Sequence, residues 1–272
     1  MSAKTVIPTK LQTKICQDYL DGKAGLKVLK TRYGFGRPAI RRTLIEHGIP
    51  IRPSCVNTPY SLNSSFFSSI NTEAKAYILG FIHADGTLSA VKSGNHYMVI
   101  NVKESDKQIV NDIALAMEAT VPIQLVKRRP SGYRGEDIAR LCIGNKQIYS
   151  DLIALRVKEP QVLQSIPSTL IHHFIRGVFD GDGCISVNYG RVRKGEWTFY
   201  LLGIPELILK LDDILCMETG INKCKLVYPH PDLLRARHTG RGNVTKIGRY
   251  LYNDANIYLQ RKYDLFIRTW SS

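Results

Sequence analysis

One stretch of this chain is present twice. Tyr77-Ile78-Leu79-Gly80-Phe81-Ile82-His83-Ala84-Asp85-Gly86 aligns without a gap on Phe174-Ile175-Arg176-Gly177-Val178-Phe179-Asp180-Gly181-Asp182-Gly183, 97 positions further on. The match continues into Thr87-Leu88-Ser89 and Cys184-Ile185-Ser186, where a β-favouring stretch begins in both copies. Tyr77, Gly80, Phe81 and Ala84 fall at i, i+3, i+4 and i+7, as do Phe174, Gly177, Val178 and Gly181, so each copy reads as a helix with one apolar face. Glycine inside a helix costs roughly 1 kcal/mol against alanine. Gly80, Gly177 and Gly181, with Ala84, therefore need a packing reason, and the close approach of two backbones supplies one. The expectation is a pair of helices packed face to face about a pseudo-twofold axis.

That packing sets a chemical problem. Asp85 and Asp182 come side by side at the C-terminal ends of the two helices, where a glycine stops each one. Two carboxylates at the negative ends of helix dipoles repel one another and are destabilised there. A divalent cation resolves the conflict. The carboxylates of Asp85 and Asp182, with the backbone carbonyls of Ala84 and Gly181, are hard oxygen donors suited to Mg²⁺ or Mn²⁺. A cation held there can activate water and stabilise charge on a phosphate.

The charge balance points the same way. The 272 residues carry 38 Lys and Arg against 23 acids, a formal charge of +15, which implies a polyanionic partner and favours nucleic acid. No apolar run is long enough to cross a bilayer, and no basic-then-apolar leader opens the chain, so the expectation is a cytoplasmic protein, or one of an organellar matrix or a phage-infected cell, not secreted and without a membrane partner. Cys16, Cys55, Cys142, Cys184, Cys216 and Cys224 form no C-x-x-C pair and no cluster with zinc-ligand spacing; they read as reduced, mostly buried thiols.

Residues 1–53 hold 11 Lys and Arg against Asp18, Asp21 and Glu46. Leu11, Ile15, Tyr19 and Leu20 recur at helical spacing, Leu26, Leu29 and Tyr33 fit a short helix ended by Gly34-Phe35-Gly36, and Arg37-Pro38 starts a third helix carrying Ile40, Leu44 and Ile45. The order resembles a helix-turn-helix of the resolvase and transposase type. It implies that Arg37, Arg41 and Arg42 point outward, onto bases or phosphates. Residues 54–70, rich in Ser, Asn and Pro, read as a linker; 71–160 and 161–272 read as the two repeats.

The paired segments resemble the two motifs of single-chain LAGLIDADG homing endonucleases. Residues 166–176 are similar to the approach to the second motif, and Ala255-Asn256-Ile257-Tyr258-Leu259-Gln260-Arg261-Lys262-Tyr263 to the family's C-terminal signature. The resemblance implies an α+β fold, two αββαββα repeats whose antiparallel sheets form a DNA-binding saddle, with strands near 87–92, 96–102, 123–129 and 138–143, then 184–189, 197–202, 225–228 and 233–239. It also implies metal-dependent hydrolysis of both strands of a long asymmetric target in double-stranded DNA, with Asp85 and Asp182 as the metal-binding acids. Basic residues are expected near the acids. Lys146 matches the first half; in the second, Lys246 and Arg241 both fit.

Candidate DNA contacts on the strands are Lys92, Lys103, Lys127, Arg128, Arg129, Arg134 and Arg140, then Arg191, Arg193, Lys194, Arg235, Arg237 and His238. His83 departs from the acidic residue usual at its motif position, which Asp180 keeps. The divergence of the halves, Leu79 against Arg176 for example, lets one chain read an asymmetric target, so a monomer is expected. The rival reading is a non-cleaving regulator or an RNA-splicing maturase on the same fold.

Overall fold

A computed structural model describes residues 7–21, 24–51, 60–91, 94–127, 135–189 and 195–270. The chain divides into two compact units, Met1–Pro59 and Tyr60–Ser272.

The first unit is built on three helices, α1 (Thr9–Leu20), α2 (Leu26–Tyr33) and α3 (Arg37–Glu46). Ile15, Tyr19, Leu29, Ile40 and Leu44 are buried together in its core. Leu20 and Ile45, expected on apolar faces, are exposed instead, because each lies one position beyond the buried stripe of its helix. Gly34 ends α2 with φ at 75°, a left-handed conformation that suits glycine, and lets α3 begin three residues later with Pro38 in its first turn. Asp18 on α1 accepts hydrogen bonds from the guanidinium of Arg32 (2.6 Å) and the hydroxyl of Tyr33 (2.7 Å), fastening the first helix to the second.

The second unit is α+β and made of two like halves. The first runs α4 (Glu73–Asp85), β1 (Gly86–Ala90), β2 (His96–Lys103), α5 (Lys107–Ala116), β3 (Gln124–Val126), β4 (Ile138–Gly144) and α6 (Lys146–Ala154). The second runs α7 (Ile171–Asp182), β5 (Cys184–Val187), β6 (Trp197–Gly203), α8 (Pro205–Thr219), β7 (Lys225–His230), β8 (Leu233–Thr239) and α9 (Arg241–Leu251), with α10 (Gln260–Trp270) after it. Each half forms a four-stranded antiparallel sheet, ordered β1-β2-β4-β3 and β5-β6-β8-β7. Alternation sets one face of each central strand inward: Ala139, Leu141 and Ile143 on β4, and Leu234 and Ala236 on β8, are buried.

Residues 60–70 are not a linker. Phe66, Phe67 and Ile70 are buried in the core of the second unit, and Ser61 hydrogen-bonds to Thr120. Their Ser and Asn neighbours hide three anchors that composition averages away.

The helices α4 and α7 pack along each other at the centre of this unit. All of Ala76–Ile82 is buried, so α4 shows little amphipathic contrast: it is covered on every side. A Cβ on Gly80 would strike the carbonyl of Phe174, one on Gly177 the carbonyl of Tyr77, and one on Gly181 the Ala84 methyl. Backbone rests directly on backbone.

The contact is held in register by a buried polar network. Arg176, fully buried, donates to the Glu73 carboxylate (2.5 Å), to Nδ1 of His173 (2.7 Å) and to the carbonyls of Leu251 (2.8 Å) and Ile257 (3.2 Å). Burial and the Arg176 charge push His173 down to about 3, which keeps its Nδ1 free to accept. Glu73 also accepts from the backbone N–H groups of Asn256 (2.8 Å) and Ile257 (3.2 Å). One ion pair therefore ties the first turn of α4 to the middle of α7 and to the segment before α10.

Replacing Gly177 with alanine is expected to cost about 3 kcal/mol or more, because the obstructing atoms are backbone and cannot swing aside. Gly242→Ala, where a Cβ meets nothing within 4 Å, is expected to change stability by less than about 1 kcal/mol. Urea denaturation of the two variants checks the contrast, and equal stabilities would contradict the close contact.

Candidate active site

The paired helices end together. Asp85 and Asp182 are the last residues of α4 and α7, and a Cβ built on Gly181 would lie 3.5 Å from Oδ2 of Asp85. Both side chains reach solvent, Asp85 at a cavity of about 660 Å³ that is also lined by Asn101, Lys103, Gly181 and Arg261. Desolvation by the surrounding protein and the charge of Asp182 lift Asp85 to about 6. Desolvation raises Asp182 as well, against the opposing charges of Lys158 and Lys262.

Two lysines meet these helix ends. The ammonium of Lys158 donates to the carbonyls of Ile82 (2.7 Å) and His83 (2.8 Å). That of Lys262 donates to the carbonyls of Phe179 (2.6 Å), Asp180 (2.9 Å) and Gly183 (2.7 Å). Ile82 and His83 occupy the same places in the first motif as Phe179 and Asp180 in the second. Each amine thus neutralises the negative end of one helix, and the carbonyls of Ile82 and Phe179 accept in addition from the backbone N–H groups of Gly86 and Gly183. Burial draws Lys262 down to about 8 although Asp180 and Asp85 favour its charge, and desolvation lowers Lys158 against the pull of Asp182 and Asp85.

The residues at the sixth motif position hold the segments that carry these lysines. Nδ1 of His83 bonds the carbonyl of Val157 (2.7 Å), the residue before Lys158. Burial pushes His83 down, so the ring is neutral and Nδ1 is the donor. Asp180, buried, accepts from the backbone N–H of Leu259 (2.8 Å) at the entry to α10, and from the hydroxyls of Tyr77 (2.8 Å) and Tyr252 (3.4 Å). A histidine donor in one half and a carboxylate acceptor in the other do the same work.

The basic residues expected from the sequence are Lys146 and, in the second half, Lys246 or Arg241. Lys146 begins α6 and Lys246 lies on α9, and both are exposed. Arg241 donates to the carbonyls of Thr269 (3.3 Å) and Arg268 (3.1 Å). Lys158 went unnoticed, and Lys262 was seen only as part of the C-terminal stretch. Lys158 follows Asp85 by 73 residues and Lys262 follows Asp182 by 80, so no constant offset reveals them.

The outward faces of the sheets are polar. Arg140 on β4 donates to Asn101 on β2 (2.9 Å), and Lys103 ends β2 beside the Asp85 cavity. On the second sheet the Arg235 guanidinium lies 4.7 Å over the ring of Tyr200, and Arg237 donates to Thr198 (3.4 Å). Both arginines alternate along β8 with the buried Leu234, Ala236 and His238. His238 therefore faces the core and is not a surface contact, a correction that follows from the period-two alternation of the strand. Lys127 is exposed, as are Arg37 and Arg41 in the first unit, with Arg42 half-buried. Lys92, Arg128, Arg129, Arg134, Arg191, Arg193 and Lys194 lie outside the described residues, as does Cys55. The five described cysteines are free thiols, one buried and four half-buried. Among the described residues no helix is long and apolar enough to cross a membrane.

No family model matches the chain, and no curated protein matches it. Solved structures of LAGLIDADG homing endonucleases are similar to it at low identity. I-GzeII in complex with its DNA target is 14% identical with a TM-score of 0.49, covering 74% of this chain and 89% of its own. I-SmaMI, bound to uncleaved DNA in the presence of calcium ions, is 12% identical with a TM-score of 0.48, covering 71% and 89%. The meganuclease I-AabMI bound to uncleaved DNA is 14% identical with a TM-score of 0.46, covering 71% and 88%.

The raised Asp85 gives a signed expectation for the metal-free protein. The folded chain holds this proton more tightly than an unfolded one, so the stability it contributes is lost as pH rises from about 4 through about 6. Asp85→Asn removes the repulsion. In EDTA its unfolding temperature is expected to exceed that of the unaltered protein above about pH 6 and to converge with it near pH 4. A variant less stable than the parent at the higher pH would mean that the carboxylate is not under electrostatic stress.

Proposed function

We propose that the chain is a site-specific endonuclease that hydrolyses both strands of a long, asymmetric DNA target, using a divalent cation held by Asp85 and Asp182. The reading is carried by one observation: two carboxylates stand at the abutting C-termini of twin helices, with Lys158 and Lys262 fixed on the same helix ends. The residues fit such a cation. Asp85 is raised partly by its partner's charge, and a cation between two hard oxygen donors relieves that repulsion.

Asp85 and Asp182 would hold Mg²⁺ or Mn²⁺, with the carbonyls of Ala84 and Gly181 adjoining. The bound ion supplies Lewis-acid stabilisation of phosphate charge and a more acidic water. The chain supplies the rest. Lys158 and Lys262 offset negative charge gathered at the helix ends, where the scissile phosphates add more. His83 and Asp180 fix the segments that bear those lysines. The rigid backbone contact at Gly80, Gly177 and Gly181 keeps the two acids in one geometry, which matters because displacement of a catalytic group by about 1 Å can cost a hundredfold in rate.

Recognition is assigned to the outward sheet faces. Lys103, Arg140, Arg235 and Arg237 project from strands that can lie along a major groove, and Lys92, Arg128, Arg129, Arg191 and Arg193 complete the proposed set. The three-helix unit, with Arg37, Arg41 and Arg42 on α3, acts as a helix-turn-helix that adds affinity beyond the cleavage core through effective concentration. One chain contains both acids and both sheets, so a monomer suffices.

Selection from a randomised duplex DNA library in Mg²⁺ tests the reading. The unaltered chain is expected to enrich fragments cut in both strands at one sequence. The Asp85→Asn, Asp182→Asn double variant is expected to enrich bound but uncut DNA. Uncut DNA from both proteins, in Mg²⁺ and in Mn²⁺, would instead identify a non-cleaving regulator or a maturase.

A further inference from the structure

The second repeat carries a side-chain cluster that cation chemistry at the helix ends does not use. Asp212 on α8, Cys224 just before β7 and His238 on β8 bring one carboxylate oxygen, one thiol sulfur and one imidazole nitrogen within 4.8 Å of one another. Oδ1 of Asp212 is the common point, 2.7 Å from Nε2 of His238 and 3.3 Å from the sulfur of Cys224. Asp212 and His238 are each only 3% exposed.

The first repeat shows what this place holds ordinarily. Cys184 pairs with Tyr200 where Thr87 pairs with Val99, and Tyr200 then pairs with Arg237 where Val99 pairs with Cys142. His238 therefore stands where the first repeat has Ile143, which is 1% exposed. The buried series on α8, Leu207, Ile208, Leu211, Asp212 and Leu215, has the spacing of Ile109, Val110, Ile113, Ala114 and Met117, which puts Asp212 at the place of Ala114. The pairing of Lys225 with Arg237, carried back to the first sheet, puts Cys224 at the place of Val121, which packs on the core. Three apolar residues in one half are thus matched by Asp, Cys and His in the other, at the same point between helix and sheet.

Such a concerted change needs a physical reason, because each polar group costs free energy to bury. The hydrogen bonds among the three offset part of that cost. A transition-metal ion offsets more, since it takes all three groups at once as ligands. We propose that Asp212, Cys224 and His238 form a zinc site that staples α8 to the β7–β8 hairpin. Zn–S bonds of about 2.3 Å and Zn–N bonds of about 2.1 Å place the ligand atoms of one tetrahedron within about 4 Å of each other. The mixed sulfur, nitrogen and oxygen set selects Zn²⁺ over Mg²⁺, which prefers oxygen alone. A water takes the fourth position; Cys216, one helical turn beyond Asp212 on α8, is not part of the group whose ligand atoms lie within 4.8 Å of one another.

The site is structural and separate from Asp85 and Asp182, so it stands whether or not the chain cuts DNA. Short spacing rules on the sequence miss it because its ligands come from a helix, a loop and a strand 26 residues apart from first to last.

The test is zinc content of the full chain, purified with Zn²⁺ present and dialysed against millimolar Mg²⁺ with a weak chelator. About one zinc per chain is expected by elemental analysis, with a higher unfolding temperature than the chelator-stripped protein. The Asp212→Ala, Cys224→Val, His238→Ile triple variant installs the first repeat's apolar residues, so it is expected to fold, to retain no zinc and to show no zinc-dependent shift. The Asp85→Asn, Asp182→Asn double variant is expected to keep its zinc. A zinc-free unaltered chain, or a triple variant that binds zinc as well as its parent, overturns the proposal.

Discussion

Everything in the second unit depends on the contact between α4 and α7. Gly80 and Gly177 each lie against a carbonyl of the other helix, which brings the backbones to a separation that any side chain would prevent. Two consequences follow from that one constraint. The helices must end together, since the contact runs without a gap to Gly181 and Ala84. The carboxylates that follow must then share one small volume, where desolvation and, after it, the charge of Asp182 raise Asp85.

The surrounding structure is organised to hold that unfavourable arrangement. Arg176 and Glu73 fix the far end of the helix pair through a buried ion pair whose remaining valences are met by Asn256, Ile257 and Leu251. A buried ion pair of this kind is worth little against an apolar pair, but removing one partner leaves a stranded charge, so it enforces a single register. At the near end Lys158 and Lys262 supply positive charge to the carbonyls of each helix. The two halves reach the same end with different residues: His83 donates to a carbonyl, whereas Asp180 accepts from an N–H. Symmetry is kept in the function of each position and relaxed in its chemistry.

How much of this was legible in the sequence varies with the range of the interaction. The twin helices and their close faces followed from the repeat, because glycine spacing is a short-range signal, whereas the eight strands followed from the resemblance to a known family. The lysines were not legible. Each arrives from a segment more than 70 residues downstream, at a separation that differs between the halves. Residues 60–70 were misread for a related reason: Phe66, Phe67 and Ile70 are sparse anchors in a polar stretch, and burial is decided by what they meet in space. His238 shows the limit of reading charge as surface, since strand alternation turns it inward beside Asp212.

The most direct measurement is the metal dependence of single-turnover strand scission on a selected target. With a two-carboxylate cation centre, the rate should rise to saturation with Mg²⁺, vanish in EDTA, and be lost in Asp85→Asn and in Asp182→Asn while each variant still binds the DNA. Scission that persists in EDTA, or that survives in both single variants at the unaltered rate, would contradict the assignment of the paired helix ends as the reactive centre.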